Sequence, residues 1–257
     1  MLNFLKLFLL RNAPKVFAER FDAMNEPEMT VLENGNKEWR VDGKYHRLDG
    51  PAIEIADGTK FWYQNGVRHR IDGPAIEFEN GHKEWFLNGS LHRENGPAIE
   101  YANGSKEWFQ NGRWHRLDGP AIEIQDGRKE WWVNGIAHRE DGPAFEYPNG
   151  RKEWYQNGRW HRLDGPAIEM ADGTKEWWQN GQRHREDGPA VEWPDGSKEW
   201  WQNNQLHRLD GPAYEDMNGK KEWWIDGEEL IKKQFEKLTK KKTETVPKRD
   251  FFDDLIL

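Results

Sequence analysis

The tetrad Asp/Asn-Gly-Pro-Ala returns every 23 residues, placing its glycine at Gly50, Gly73, Gly96, Gly119, Gly142, Gly165, Gly188 and Gly211 with no insertion between copies. A fixed period of this length is the mark of a tandem array, in which each unit needs its neighbours to complete a core. A His-Arg pair precedes every tetrad, from His46-Arg47 to His207-Arg208, and a glutamate follows each, from Glu54 to Glu215. The other half of the unit centres on a tryptophan, again 23 apart: Trp39, Trp62, Trp85, Trp108, Trp131, Trp154, Trp177, Trp200 and Trp223. Eight units and a partial ninth fit between residues 28 and 227.

Residues Pro51 to Gly73 show what one unit can form. Ile53 to Ala56 and Thr59 to Tyr63 are β-branched and aromatic, as strands prefer, and Asp57-Gly58 and Asn65-Gly66 are hairpin signals because both positions tolerate positive φ. No stretch of the unit has helical periodicity. The expected fold is therefore all-β: an elongated solenoid of stacked antiparallel β-hairpins, with short helices at both termini. A two-residue Asp-Gly turn sets Glu77 opposite Glu84 and Glu100 opposite Glu107, an unfavourable pairing. The recurrent Arg70, Arg93 and Arg116 are expected to lie between those carboxylates. Alternation also puts Ile53, Ile55, Lys60 and Trp62 on one face of the hairpin, with Ala52, Glu54, Phe61 and Tyr63 on the other.

The ends depart from the repeat. Residues 1–27 read as an N-terminal helical cap, with Phe17, Phe21 and Met24 on one stripe. Residues 28–227 are the array, residues 228–242 a basic capping helix with Leu230, Ile231, Phe235 and Leu238 inward, and residues 243–257 a flexible tail. Caps of this kind close the open ends of a solenoid.

The run from Glu153 through Asn157-Gly158, His161, Asp164-Gly165 and Ala167 to Glu169 resembles the MORN repeat, and the resemblance extends over about residues 28–228. His-Arg-x-Asp-Gly-Pro-Ala replaces the family's His-Gly-x-Gly. In this the chain is similar to the variant arrays of bacterial antitoxin-like proteins of the YwqK type and of tailed phages and large DNA viruses. The resemblance implies stacked hairpins, a scaffold that associates with proteins or membranes, no chemistry of its own, and a phage, defence, counter-defence or antitoxin setting.

Composition bears on chemistry. The chain has 257 residues, no cysteine, 16 tryptophans, and 38 basic against 46 acidic residues, a net charge of −8. Lack of cysteine excludes disulfides and thiolate chemistry and suits a reducing compartment, so the expected location is the cytoplasm, or the host cytoplasm for a viral protein. Acidity disfavours nucleic acid. Histidines one repeat apart would be roughly 9–10 Å from one another, too far to share a metal ion, so no metal or cofactor is expected. Every carboxylate and histidine recurs in an equivalent setting, whereas catalysis needs one environment that differs. The expectation is no enzyme.

The recurrent tryptophans, Trp62, Trp85, Trp108, Trp131, Trp154, Trp177 and Trp200, are expected as core. Rings that vary between units, Trp114, Trp132, Trp160, Trp178, Trp193 and Trp201, are the candidates for a partner-binding surface or for a sugar-stacking ladder. The leading expectation is a protein partner. Carbohydrate binding is the alternative, and membrane contact through the apolar residues 2–11 is a third. Open sheet edges also allow a homodimer by edge pairing.

Overall fold

Each 23-residue repeat forms two short antiparallel ribbons, seen in a computed structural model that describes residues 26–244. In one repeat, Ile76–Glu77 pairs with Lys83–Glu84, and Phe86–Leu87 pairs with Ser90–Leu91. Trp85 lies at the bend between the ribbons. Its N–H donates to the Ala98 carbonyl of the next repeat, and its own carbonyl accepts from His92. Lys83–Glu84 then pairs with Ile99–Glu100, so each repeat continues the sheet of the one before.

The chain divides into two units, Met1–Gln125 and Asp126–Leu257. In the first, Lys37–Val41 pairs with Ile53–Glu54, and antiparallel pairing then runs strand by strand to Ile122–Glu123. In the second, the same pattern runs from Lys129–Glu130 to Lys221–Ile225. Each unit is thus an all-β solenoid of stacked antiparallel hairpins.

Register differs from the expectation by one residue. Glu77 faces Lys83, and Ile76 faces Glu84. The cause is the turn. Phe78 N–H donates to His82 O and Gly81 N–H to Phe78 O, with Gly81 at φ 88°, which makes a three-residue loop ending in a left-handed glycine. A two-residue turn would have slipped every pair by one. The opposed glutamates therefore do not exist. Glu77 instead sits between Lys60 and Lys83, and Glu100 between Lys83 and Lys106, as a cross-strand ladder of opposite charges. The face assignment changes with it: Ile53 is paired with Phe61, and Glu54 with Lys60.

The other turn of the unit is as expected. Asn88 and Gly89 have φ of 50° and 82°, the two positive values of a type I′ hairpin. Loop side chains tie successive repeats together. Ser105 is buried and its Oγ accepts from Gln125 N–H at 3.0 Å, as Ser197 does from Met217 N–H at 3.2 Å.

Small residues form the most buried layer. Ala52, Ala75, Ala98 and Ala121 in the first unit, and Ala144, Ala167, Ala190 and Ala213 in the second, have no exposed surface. Ile76 and Phe86 join Ala75, with Phe61, Trp62, Phe78 and Leu91 packed around them, and the next repeat does the same with Ala98, Ile99 and Phe109.

At the C-terminal end, Asp226-Gly227 is another turn with two positive φ values, 52° and 78°. It returns the chain as the strand Glu228–Leu230 against Trp223–Ile225, so the helix begins only at Lys232 and runs to Glu244. Of the four residues expected inward, Phe235 is buried and Leu230 half-buried, while Ile231 and Leu238 are exposed. The expected cap in residues 1–27 falls almost wholly outside the described residues, as does most of the tail 243–257.

Candidate functional site

The recurring polar assembly is built on the arginine of each His-Arg pair. Arg70 lays its guanidinium over the Trp62 ring, 4.1 Å from the centroid. It also donates from Nε to Asp72 Oδ1 at 3.0 Å and from Nη1 to Pro74 O at 3.1 Å and Glu77 Oε1 at 3.0 Å. Arg116 on Trp108 and Arg139 on Trp131 repeat the arrangement. Arg93 covers Trp85 and bonds Glu100 at 2.8 Å, with Asn95 standing where other units have aspartate. The arginines therefore do engage the carboxylates, but beside a Lys–Glu ladder and not between opposed glutamates.

This geometry explains the tetrad glycine. At Gly142 a Cβ would meet Arg139 Cζ at 2.9 Å, and its φ is not in the left-handed region. Gly142 is glycine for space, while Gly96, after Asn95, also has a positive φ of 129°. The arginine bond, and then its charge, hold Asp72, Asp118, Asp141, Asp164 and Asp187 below the ordinary carboxylate range.

Trp62, Trp85, Trp108, Trp131, Trp154, Trp177 and Trp200 are half-buried, not the deepest core. One face of each carries the guanidinium, and Trp62 and Trp85 also pack against the buried clusters. Covering by arginine was missed because two strands were expected to need the indole as filling, whereas alanine and isoleucine fill that space.

The variable rings lie on the other ribbon. Trp114 packs on the Phe109 cluster and donates Nε1–H to Glu107 at 2.8 Å. Trp132, Trp160, Trp178 and Trp201 donate to Glu130, Glu153, Glu176 and Glu199 at 2.8 to 3.1 Å. These glutamates are the Lys-Glu-Trp carboxylates, and Glu130, Glu153 and Glu176 are buried. Tyr101, half-buried and hydrogen-bonded to Glu107, has its hydroxyl pKa pushed up to about 12 by that partial burial and the neighbouring carboxylate. In the second unit Trp132, Phe145, Tyr155, Trp160 and Trp178 form a continuous row with centroids 4.9 to 5.7 Å apart. Their planes are inclined by 35° to 49°, and all are half-buried. A sugar ladder wants open, near-parallel rings, and this row does not offer them. Trp193 stands apart from it, half-buried at a hairpin loop closed by its bond from Trp193 N–H to Ser197 O.

Histidines of the His-Arg pairs serve turns, whereas His82 pairs its Nε2 with Glu84 at 2.8 Å. His69 Nδ1 accepts from Asn88 N–H at 3.2 Å, and His161 Nδ1 from Asn180 N–H at 3.1 Å, each reaching into the following repeat. Among the described residues no group of three or more His, Asp or Glu side chains is placed to hold a metal ion.

Membrane contact through residues 2–11 is withdrawn. No helix among the described residues is long and apolar enough to cross a membrane, and residues 2–11 themselves lie outside that range. The chain matches no family model and no characterised protein in sequence.

The loop edge was missed altogether. Between His-Arg and Asp-Gly-Pro stand Leu48, Ile71, Leu117, Leu163 and Leu209, all exposed. The signal was an aliphatic residue recurring inside a polar turn.

Proposed function

We propose that this chain is a non-catalytic scaffold whose repeated surface binds a protein partner. One observation carries the reading: the same Arg–Trp–Asp–Glu assembly recurs from repeat to repeat, with each polar side chain matched to a structural partner. Glutamates accept from indoles and guanidinia, and histidines accept from turn amides, so the groups that resemble acid–base machinery already have structural roles. The repeats then differ in few positions, which is how a solenoid varies a binding face while keeping its frame.

The finer reading is a variant MORN array acting in the cytoplasm, in a phage or bacterial defence, counter-defence or antitoxin setting. It rests on the sequence motif and the 23-residue period. The test is crosslinking of the full chain in its native host extract, with a glycan array alongside. Specific protein adducts are expected. No adduct, together with clear glycan binding, would overturn the reading.

A further inference from the structure

Turn residues are ordinarily Gly, Pro, Asn, Asp or Ser. The loop His-Arg-x-Asp-Gly-Pro breaks this rule at x, which is Leu48, Ile71, Glu94 and Leu117 in the first unit and Glu140, Leu163, Glu186 and Leu209 in the second. Leu48, Ile71, Leu117 and Leu163 are 73 to 84% exposed, and Leu209 is 41% exposed. A lone exposed leucine means nothing. Five at one repeat position form a pattern. They contribute nothing to the core, because alanine, isoleucine and phenylalanine fill it.

The most exposed charge at this edge is acidic. Asp141, Asp164, Asp187 and Asp210 flank the x residues with carboxylates 83 to 85% exposed. Each loop arginine lies over its tryptophan and pairs with both its aspartate and the strand glutamate, so it offsets one of the two carboxylates and leaves the assembly with one net negative charge. Glu140 and Glu186 add further acid. Between successive loops lies a hollow of about 510 Å³, walled by Arg185, Asp187, Trp200, Arg208, Leu209 and Asp210. The surface therefore carries an acidic excess, strongest at the exposed Glu140 and Glu186, with aliphatic points between.

Spacing then selects the occupant. Two strands per repeat advance the row by roughly 9–10 Å. Three residues of an extended, polyproline-like segment span about 9.3 Å and bring the same side of the segment round again. An α-helix advances the same distance in about six residues, which is not a whole number of turns.

We propose that the loop row of the second unit is a docking track for an extended basic segment of a partner protein, in which aliphatic and Lys/Arg residues alternate at every third position. Aliphatic residues would meet Leu163 and Leu209, and basic ones Glu140 and Glu186 with their neighbouring aspartates. This deepens the scaffold reading and rests on it.

The probe is a short fluorescent peptide with Leu and Lys alternating at every third position, against a control of equal composition and shuffled order. Binding to the full chain is followed by anisotropy. The ordered peptide should bind about tenfold more tightly than the control, and Leu163→Ser should remove about that factor. Glu186→Lys should weaken it further and favour a peptide carrying Glu at the matching place. Equal binding of the two peptides, or indifference to Leu163→Ser, overturns the track. A photo-crosslinking residue placed at Leu163 or at Ile136, which is exposed on the other ribbon, paired with Val133, separates the two readings when used in native extract. A partner trapped only through Ile136 overturns the track and keeps the scaffold; none at either position counts against both.

Discussion

Gly142 and Arg139 offer the sharpest test of how a repeat is held. Arg139→Ala removes the stack on Trp131 at 3.9 Å, the bond to Pro143 O at 3.1 Å, and the pairs with Asp141 and Glu146 at 2.9 Å. The stack is worth about 1 kcal/mol, and leaving the part-buried carbonyl unpaired costs about another. The pair with half-buried Glu146 adds at most about 1 kcal/mol, and Asp141 is too exposed to count. The expected loss is about 2–3 kcal/mol. Gly142→Ala drives a Cβ to 2.9 Å from the same guanidinium. Arginine can swing away, but only by giving up those contacts, so the cost is bounded by the same figure less the roughly 0.4–1 kcal/mol gained when alanine restricts the unfolded chain. In the double variant the space is already empty, and alanine should be neutral or slightly stabilising. The pair is therefore expected to fall about 2 kcal/mol short of additivity. Long arrays need not unfold in one step, so the assay is native-state hydrogen exchange at Phe145, Glu146, Lys152 and Glu153. Additivity within about 0.5 kcal/mol would refute the packing argument.

Other outcomes follow from the same geometry. Glu153→Gln should cost about 2 kcal/mol, because a buried carboxylate accepting from Tyr155 and Trp160 and paired with Arg151 is replaced by a neutral amide; chemical denaturation followed by tryptophan fluorescence reads it. Asn180 sits at φ 52°, so Asn180→Ala should destabilise its turn by about 1 kcal/mol while Asn180→Gly is nearly neutral, measured by thermal melts. Acid should loosen the array in a defined window. The folded pKa of Asp72, Asp118, Asp141, Asp164 and Asp187 is depressed by arginine, so their contribution is complete above the ordinary value near 3.9 and is lost as pH falls through the lower folded value. Circular dichroism should show a limb that falls below about pH 4, and replacing these aspartates with asparagine should flatten that limb.

Sequence alone made the array legible because its period is carried by residues with backbone meaning: Asn-Gly turns, an X-Pro strand start, and glycine where a side chain would collide. Turn length was less legible. Asp-Gly fits two- and three-residue loops equally, and the difference reverses which side chains share a face. Pro148 and Pro194 held the missing signal, since proline favours the first central position of a type I turn and so points to the longer loop. The tryptophans misled in another way. Indoles are usually buried for area, but here Ala75, Ile76 and Phe86 fill the interior and the ring serves as a platform for arginine. The C-terminal helix was drawn too early because Asp226-Gly227 was read as an array terminus and not as one more turn. Exposure at Leu163 and its counterparts depends on where the loop points, which the hydrophobic pattern does not encode.

The most direct test of the central claim, that this is a scaffold read along its repeats and not a single reactive locus, is a residue-resolved crosslinking map of the full chain in its native extract. Adducts are expected at equivalent positions 23 residues apart, such as 140, 163, 186 and 209. Adducts gathered in one repeat, with a small molecule consumed there, would contradict it.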